Sequence, residues 1–284
     1  MLKLACITLV LSVFISCSEQ PSELRISINP WIGYTPFYYA QEKDWLDEVH
    51  IKLIHSTSLS ETIEYYNSHL IDGFVSTQYE AQVIGPEKLI HLMALNRSNG
   101  GDVILSHHPM EAILNSDKIT VYLEIDSVNK LVLEDFMNQF NITAEKFFLI
   151  NKEQVLMKDI PVSDEEMFII VTYEPYATTL RNNGYKEVIS SANSSLLILD
   201  SLYVEKTHFE THQEQLTQLN KVLIDSYAAL KRDPEEYYNT VKHYLAEVTY
   251  EEFTQALTGI EWLVDADKDK IKRMIGNRNI LDIQ

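Results

Sequence analysis

Five acidic residues stand where predicted strands end, at Glu80, Asp102, Glu124, Glu174 and Asp200, and the only nearby base is Arg97. Unpaired carboxylates drawn into one closed cleft cost free energy unless something neutralises them. A protonated amine or a ring N–H donor would do so, which favours an amine-bearing or heteroaromatic ligand over a sulfonate or a nitrate. Trp31 and Tyr34, in a loop beside Gly33, offer a flat apolar surface for stacking; packing under the next helix is the alternative. Helix N-termini expected at Thr35, Thr77 and Ser127 would present N–H groups, and these suit an anion. Each acidic residue also has a purely structural reading. Thr77 and Glu80 have the spacing of a capping box, Asp102 could fix its own loop, Glu174 could complement a helix dipole, and Asp200 could brace a hinge.

Catalytic and metal chemistry find little support. His208 and His212 share a helix face, but Phe209 stands where a zinc protease places its glutamate, so solvated histidines are expected. His107 and His108 make an equally weak metal site. There is no G-x-S-x-G, no phosphate-binding loop and no cysteine nucleophile in the body of the chain, so neither an enzyme, a metal nor a cofactor is expected.

Positioning these residues requires alternating strands and helices. Ile26 and Ile28 alternate with Ser27 as in a short strand, and Thr35-Pro36 opens a helix to about Leu46. A strand is expected at Val49 to Ile54. Ser58 to Glu61 has capping-box spacing and starts a helix to about His69, followed by a strand at Phe74 to Ser76. Further strands are expected at Leu89–Leu95, Val103–Ser106, Ile119–Leu123, Phe147–Ile150 and Met167–Thr172, with a helix at Val128–Phe140 capped by Ser127. From Glu210 the chain reads as helical, with Leu216, Leu219, Leu223 and Tyr227 near a 3.6 period and caps at Asp233, the Thr249 region and Asp265.

Residues 26–46 resemble the opening of the ABC-transporter substrate-binding proteins for nitrate, sulfonates, taurine and thiamine precursors, in which a W-x-G-Y-x-P-x-Y-x-A run sits on the binding cleft. Asp72-Gly73, Thr77 and Glu80 resemble that family's D-G-x-x-x-T-x-x-E segment. Ser98, Asn99, Gly100, Gly101 and Asp102 resemble its S-N-G-x-D loop, and Tyr173-Glu174-Pro175-Tyr176-Ala177 its E-P signature. Leu196 to Val204, with Asp200, is similar to the segment that crosses back to the first lobe. The resemblance implies an α/β, two-lobed periplasmic-binding-protein type II fold with a ligand cleft between the lobes and a helical C-terminal segment. One lobe would comprise 24–107 and 200–284, the other 108–199. The implied ligand-binding set is Trp31, Tyr34, Thr35, Thr77, Glu80, Ser98, Asn99, Gly101, Asp102, Glu124, Ser127, Tyr173, Glu174 and Asp200. The implied partners are a small molecule and an ABC permease, or alternatively a membrane sensor; the third reading is an enzyme on the same fold.

Leu4 to Ile15 is an apolar run too short to span a bilayer, which is the shape of a secretory signal. Phe14-Ile15-Ser16-Cys17 resembles a lipobox, although such motifs prefer Leu where Phe14 stands. Residues 1–16 are therefore expected to be cleaved, Cys17 lipidated for anchoring to a membrane of the cell envelope, and 17–23 to serve as a tether. The two cysteines are Cys6 and Cys17, so the rest of the chain has no disulfide and depends on its core. A formal charge of −19 argues against nucleic acid and anionic membrane surfaces as partners, and a monomer is expected.

Overall fold

The structure, a computed structural model, describes residues 22–163 and 165–276. Eleven strands in chain order are β1 Leu24–Ile28, β2 Ile51–His55, β3 Gly73–Thr77, β4 Leu89–Ser98, β5 Asp102–Ser106, β6 Ile119–Leu123, β7 Phe147–Asn151, β8 Phe168–Tyr173, β9 Lys186–Ser190, β10 Leu199–Glu205 and β11 Ile260–Trp262. They form two sheets, ordered β11-β4-β10-β3-β1-β2 and β7-β6-β8-β5-β9. Each sheet has the same plan. In the first, β1 pairs in parallel with β2 and β3; in the second, β6 does so with β7 and β8. The strand next to each parallel trio is antiparallel to both its neighbours, and it is the strand by which the chain enters that sheet from the other, β5 or β10.

The central strands are apolar runs buried along their whole length, as sheets covered on both faces require. All residues of β3, β5 and β8 are buried, whereas edge strand β7 exposes Phe148 and Leu149. The helix Gln213–Arg232 buries Leu216, Leu219, Leu223, Ala229 and Leu230 and packs against the helix Thr35–Glu42.

Several helix ends differ from expectation. A 3-10 turn, Ile32–Tyr34, runs directly into the helix Thr35–Glu42, so Tyr34 holds the N-cap position and the Thr35 hydroxyl makes no cap bond. The helix Leu59–Asn67 is capped by Ser58, but the Glu61 carboxylate takes the N–H of Thr57, which leaves the capping box half formed. The last described helix, Lys268–Ile275, is capped by Asp267, while Asp265 pairs with Lys231. His212 is buried and hydrogen-bonded to Ser22 and the His208 carbonyl, not solvated.

The chain passes between the sheets twice, through 99–101 and 191–198, and the two crossings are tied together. Ser98 and Ser191 hydroxyls lie 2.8 Å apart, and the Gly100 N–H donates to Ser191 Oγ at 2.7 Å. Gly100 has φ +117°, a conformation that favours glycine.

Candidate functional site

The facing edges of the two sheets bring together strand ends of matching polarity. On the first sheet these are the C-termini of β1 and β3 and the N-terminus of β10, where Asp200 pairs with Thr77 and Asn96. On the second they are the C-termini of β6 and β8 and the N-terminus of β5, where Asp102 pairs with Tyr173. Carboxyl ends of parallel strands at a crossover are where open α/β sheets bind ligands. The space between the edges is lined by Asn29, Trp31, Tyr34, Leu59, Thr77, Asp102, Val128, Tyr173, Ile198 and Asp200. It measures about 10 Å³, at the threshold for a single water molecule.

Trp31 is the flat wall of this space and has little freedom. Its Nε1 donates to Asn96 Oδ1 at 3.2 Å, and Asn96 Nδ2 donates to the Gly33 carbonyl at 3.0 Å. Its ring meets Tyr173 edge-on, with centroids 5.9 Å apart. A Cβ at Gly101 would stand 2.4 Å from Trp31 Cη2, and one at Gly33 would stand 2.3 Å from Nε1. Both glycines are thus required by the tryptophan they flank. Asn29 Nδ2 donates to the Tyr173 hydroxyl oxygen at 3.2 Å, closing a contact from one sheet's body to the other's.

The electrostatics are one-sided. Glu80, Asp102, Glu124 and Asp200 are all buried, and among the described residues no Lys, Arg or His lines the space. Burial pushes the Asp102 carboxyl up to about 7, with Glu80 and Glu174 adding to the rise and the Ser98 hydrogen bond opposing it. Burial likewise pushes Glu124 up to about 8. Asp200 is raised well above the carboxylate range by burial, and Asp102 and Glu80 add to that against the Tyr34 hydroxyl, which donates to Asp200 Oδ1 at 2.6 Å. Asn29 Oδ1, Glu124 Oε1 and Asp200 Oδ2 are buried acceptors without a hydrogen-bond partner. Buried unpartnered acceptors are uncommon and call for an explanation. The arrangement can accept hydrogen bonds from donors and neutralise a cation. Among the described residues there is no group of three or more His, Cys, Asp or Glu placed to hold a metal ion.

No family model matches the sequence, and no curated protein matches it. Solved structures do. The alkanesulfonate-binding protein SsuA from Xanthomonas axonopodis, bound to MOPS, is 12% identical with a TM-score of 0.68, over 93% of this chain and 97% of that one. A zinc-bound ligand-binding component of an ABC-type import system from Staphylococcus aureus is 15% identical with a TM-score of 0.67, over 85% of each chain. A Candida albicans protein described as having the generic periplasmic binding protein fold is 12% identical with a TM-score of 0.67, over 86% and 82%. The chain has the periplasmic-binding-protein fold. Its two sheets are the cores of the two lobes, and the lined space is the cleft between them.

Within that cleft the expected residues separate into groups. Trp31, Tyr34, Thr77, Asp102, Tyr173 and Asp200 line it. Glu80 and Glu124 instead join the lobes. Glu80 completes the capping box with Thr77 and also accepts the N–H of Val128 at 2.9 Å, at the start of the helix Asn129–Phe140. Glu124 Oε2 accepts the N–H of Leu59 at 3.4 Å, at the start of the helix Leu59–Asn67. Each lobe thus supplies a carboxylate to a helix N-terminus of the other.

The remaining residues turn elsewhere. The Glu174 carboxylate accepts from the Thr178 N–H and hydroxyl and pairs with Arg181, so it serves its own helix and does not face Trp31. Ser127 does not hold the N-cap, which belongs to Val128; its hydroxyl accepts from Asn129 N and donates to the Glu124 carbonyl. Ser98 is engaged by Ser191 and by the Asp102 N–H, and Asn99 is exposed on a different groove. Gly101 backs Trp31, and Thr35 is buried as the first residue of the helix Thr35–Glu42. Arg97 pairs with Glu261 and is not a cleft residue. Sequence reasoning missed Asn29, Asn96 and Val128. Asn29 had one visible signal, a polar amide directly after the apolar end of β1.

Proposed function

We propose that this chain is an extracytoplasmic solute-binding lipoprotein. It captures a small amine-bearing or heteroaromatic molecule between lobes 24–107 with 200–284 and 108–199, and delivers it to an ABC permease. The observation that carries the reading is a two-lobe cleft, of the fold seen in ABC import components, lined by buried acidic and aromatic side chains without a base. The alkanesulfonate binder shares the fold, but a sulfonate in this cleft would meet Asp102 and Asp200 with no countercharge. Binding and lobe closure, with no covalent chemistry, are the whole of its action. Anchoring rests on Cys17, which lies outside the described residues. Native mass spectrometry of the mature protein, isolated from membranes and then exposed to pooled small metabolites, tests both parts. The expected result is a diacyl mass at residue 17, lost in Cys17→Ser, together with one bound small molecule. An unmodified Cys17 refutes the anchor; no adduct from any pool refutes the binding role.

A further inference from the structure

We infer that Asn29 and Asp200 are the two polar anchors of the cleft, and that its ligand carries at least two hydrogen-bond donors, one of them on a protonated nitrogen. This rests on the solute-binding reading above and names the ligand chemistry and the residues that select it. Both side chains are buried, both line the same space, and each keeps one acceptor oxygen unpartnered, Asn29 Oδ1 and Asp200 Oδ2. Their other polar atoms are committed in ways that fix these orientations. Asn29 Nδ2 donates to Tyr173, and Asp200 Oδ1 accepts from Tyr34. Trp31 and Tyr173, locked by Asn96, Gly33 and Gly101, supply the apolar walls. A ligand offering only acceptors would leave Asn29 Oδ1 unsatisfied and would be tolerated at Asp200 Oδ2 only while that carboxyl stays protonated, whereas a protonated nitrogen satisfies both oxygens.

The charge state follows from the neighbours. Asp200 is faced by the Tyr34 hydroxyl, the Trp31 indole N–H, Asp102, Glu80 and Tyr203, and Asp102 by Glu80, Glu174 and Tyr173. Apart from Arg181, which is held by Glu174 and Glu187 away from the cleft lining, none of these carries positive charge. Without ligand, burial holds Asp102 and Asp200 towards their protonated forms. A cationic ligand takes the place of those protons, which pass to solvent, so binding strengthens as pH rises through about 7, where Asp102 titrates.

The test titrates the mature protein with flat probes of one ring size. Benzamidinium and benzylammonium are the donors, and benzenesulfonate and benzoate the acceptors. Calorimetry should detect the cations alone, with affinity at least tenfold weaker at pH 5.5 than at pH 8. Asp200→Asn should weaken cation binding at least tenfold and Asn29→Ala several-fold. Circular dichroism confirms that the variants fold, and the pH series on unaltered protein stands if Asp200→Asn does not. Binding of benzenesulfonate, or cation binding indifferent to both pH and Asp200, overturns the inference while leaving the solute-binding reading in place. Absence of binding by every probe, with no adduct from metabolite pools, overturns both.

Discussion

Glu124 and Asp102 place a measurable cost on the closed molecule at high pH. Their carboxyls titrate at about 8 and about 7 in the folded protein, above the ordinary carboxylate range of about 4. Between pH 4 and 8 the folded chain therefore holds protons that the unfolded chain has released. The stability they contribute is complete below about pH 4 and is lost as pH rises through 7 and 8. Asp72, Glu61 and Glu236 shift the opposite way, so the difference between variants is informative where the absolute profile is not. Glu124→Gln keeps an acceptor for the Leu59 N–H and removes the titration. Its melting temperature should exceed that of the parent at pH 8 by several degrees and converge with it at pH 4.5. Parallel melting curves across that range would show that Glu124 does not titrate where its burial places it.

Among the secondary-structure elements, the unusual feature is that helix ends are satisfied by the opposite lobe. Thr77 and Glu80 were legible as a capping box because that motif is local, three residues apart, and the structure shows it. The second task of Glu80, taking the Val128 N–H, was not legible, since it joins residues 48 apart across the cleft. The Glu174 side chain lies elsewhere than expected for the complementary reason. Thr178 and Arg181, four and seven residues on, compete for the carboxylate within its own helix and win. Local spacing revealed the strands and the caps at Ser58, Thr77 and Asp233; which way a side chain faces depends on partners, in the other lobe for Glu80 and in the following helix for Glu174. Glu80→Ala should cost about 2–4 kcal/mol, since it strips the acceptor from several buried donors. Native-state hydrogen exchange should lose protection at Val128 as well as at Thr77. Loss confined to the Thr77 turn would mean that the cross-lobe bond carries no free energy.

For the molecule as a whole, the decisive quantity is the space left between the lobes. About 10 Å³ admits no organic molecule, so the ligand proposed above would enter only if the lobes separate. Among the described residues and away from the crossings, the hydrogen bonds joining them are few: Glu80 to Val128, Glu124 to Leu59, Ile32 to Glu174, Asn29 to Tyr173 and Asn182 to Glu252. Single hydrogen bonds contribute about 0.5–1.5 kcal/mol net, and the apolar contact of Trp31 with Tyr173 adds to them, so an open form is a minor population without ligand. The two crossings, stapled through Ser98 and Ser191, are short enough to act as the hinge. Val155 and Glu247 are exposed and line one groove between the lobes, which makes them reporters of its width. With the only native cysteines at positions 6 and 17, a protein starting at residue 17 with Cys17→Ser accepts spin labels cleanly at Val155→Cys and Glu247→Cys. Dipolar spectroscopy should show a broad distribution containing a long component without ligand, collapsing to the short component when the metabolite adduct is bound. The same long component should grow in Glu124→Ala, because removing one of so few bonds shifts the balance towards opening. A single short distance, unmoved by ligand or by that substitution, would describe a rigid body and defeat capture by closure.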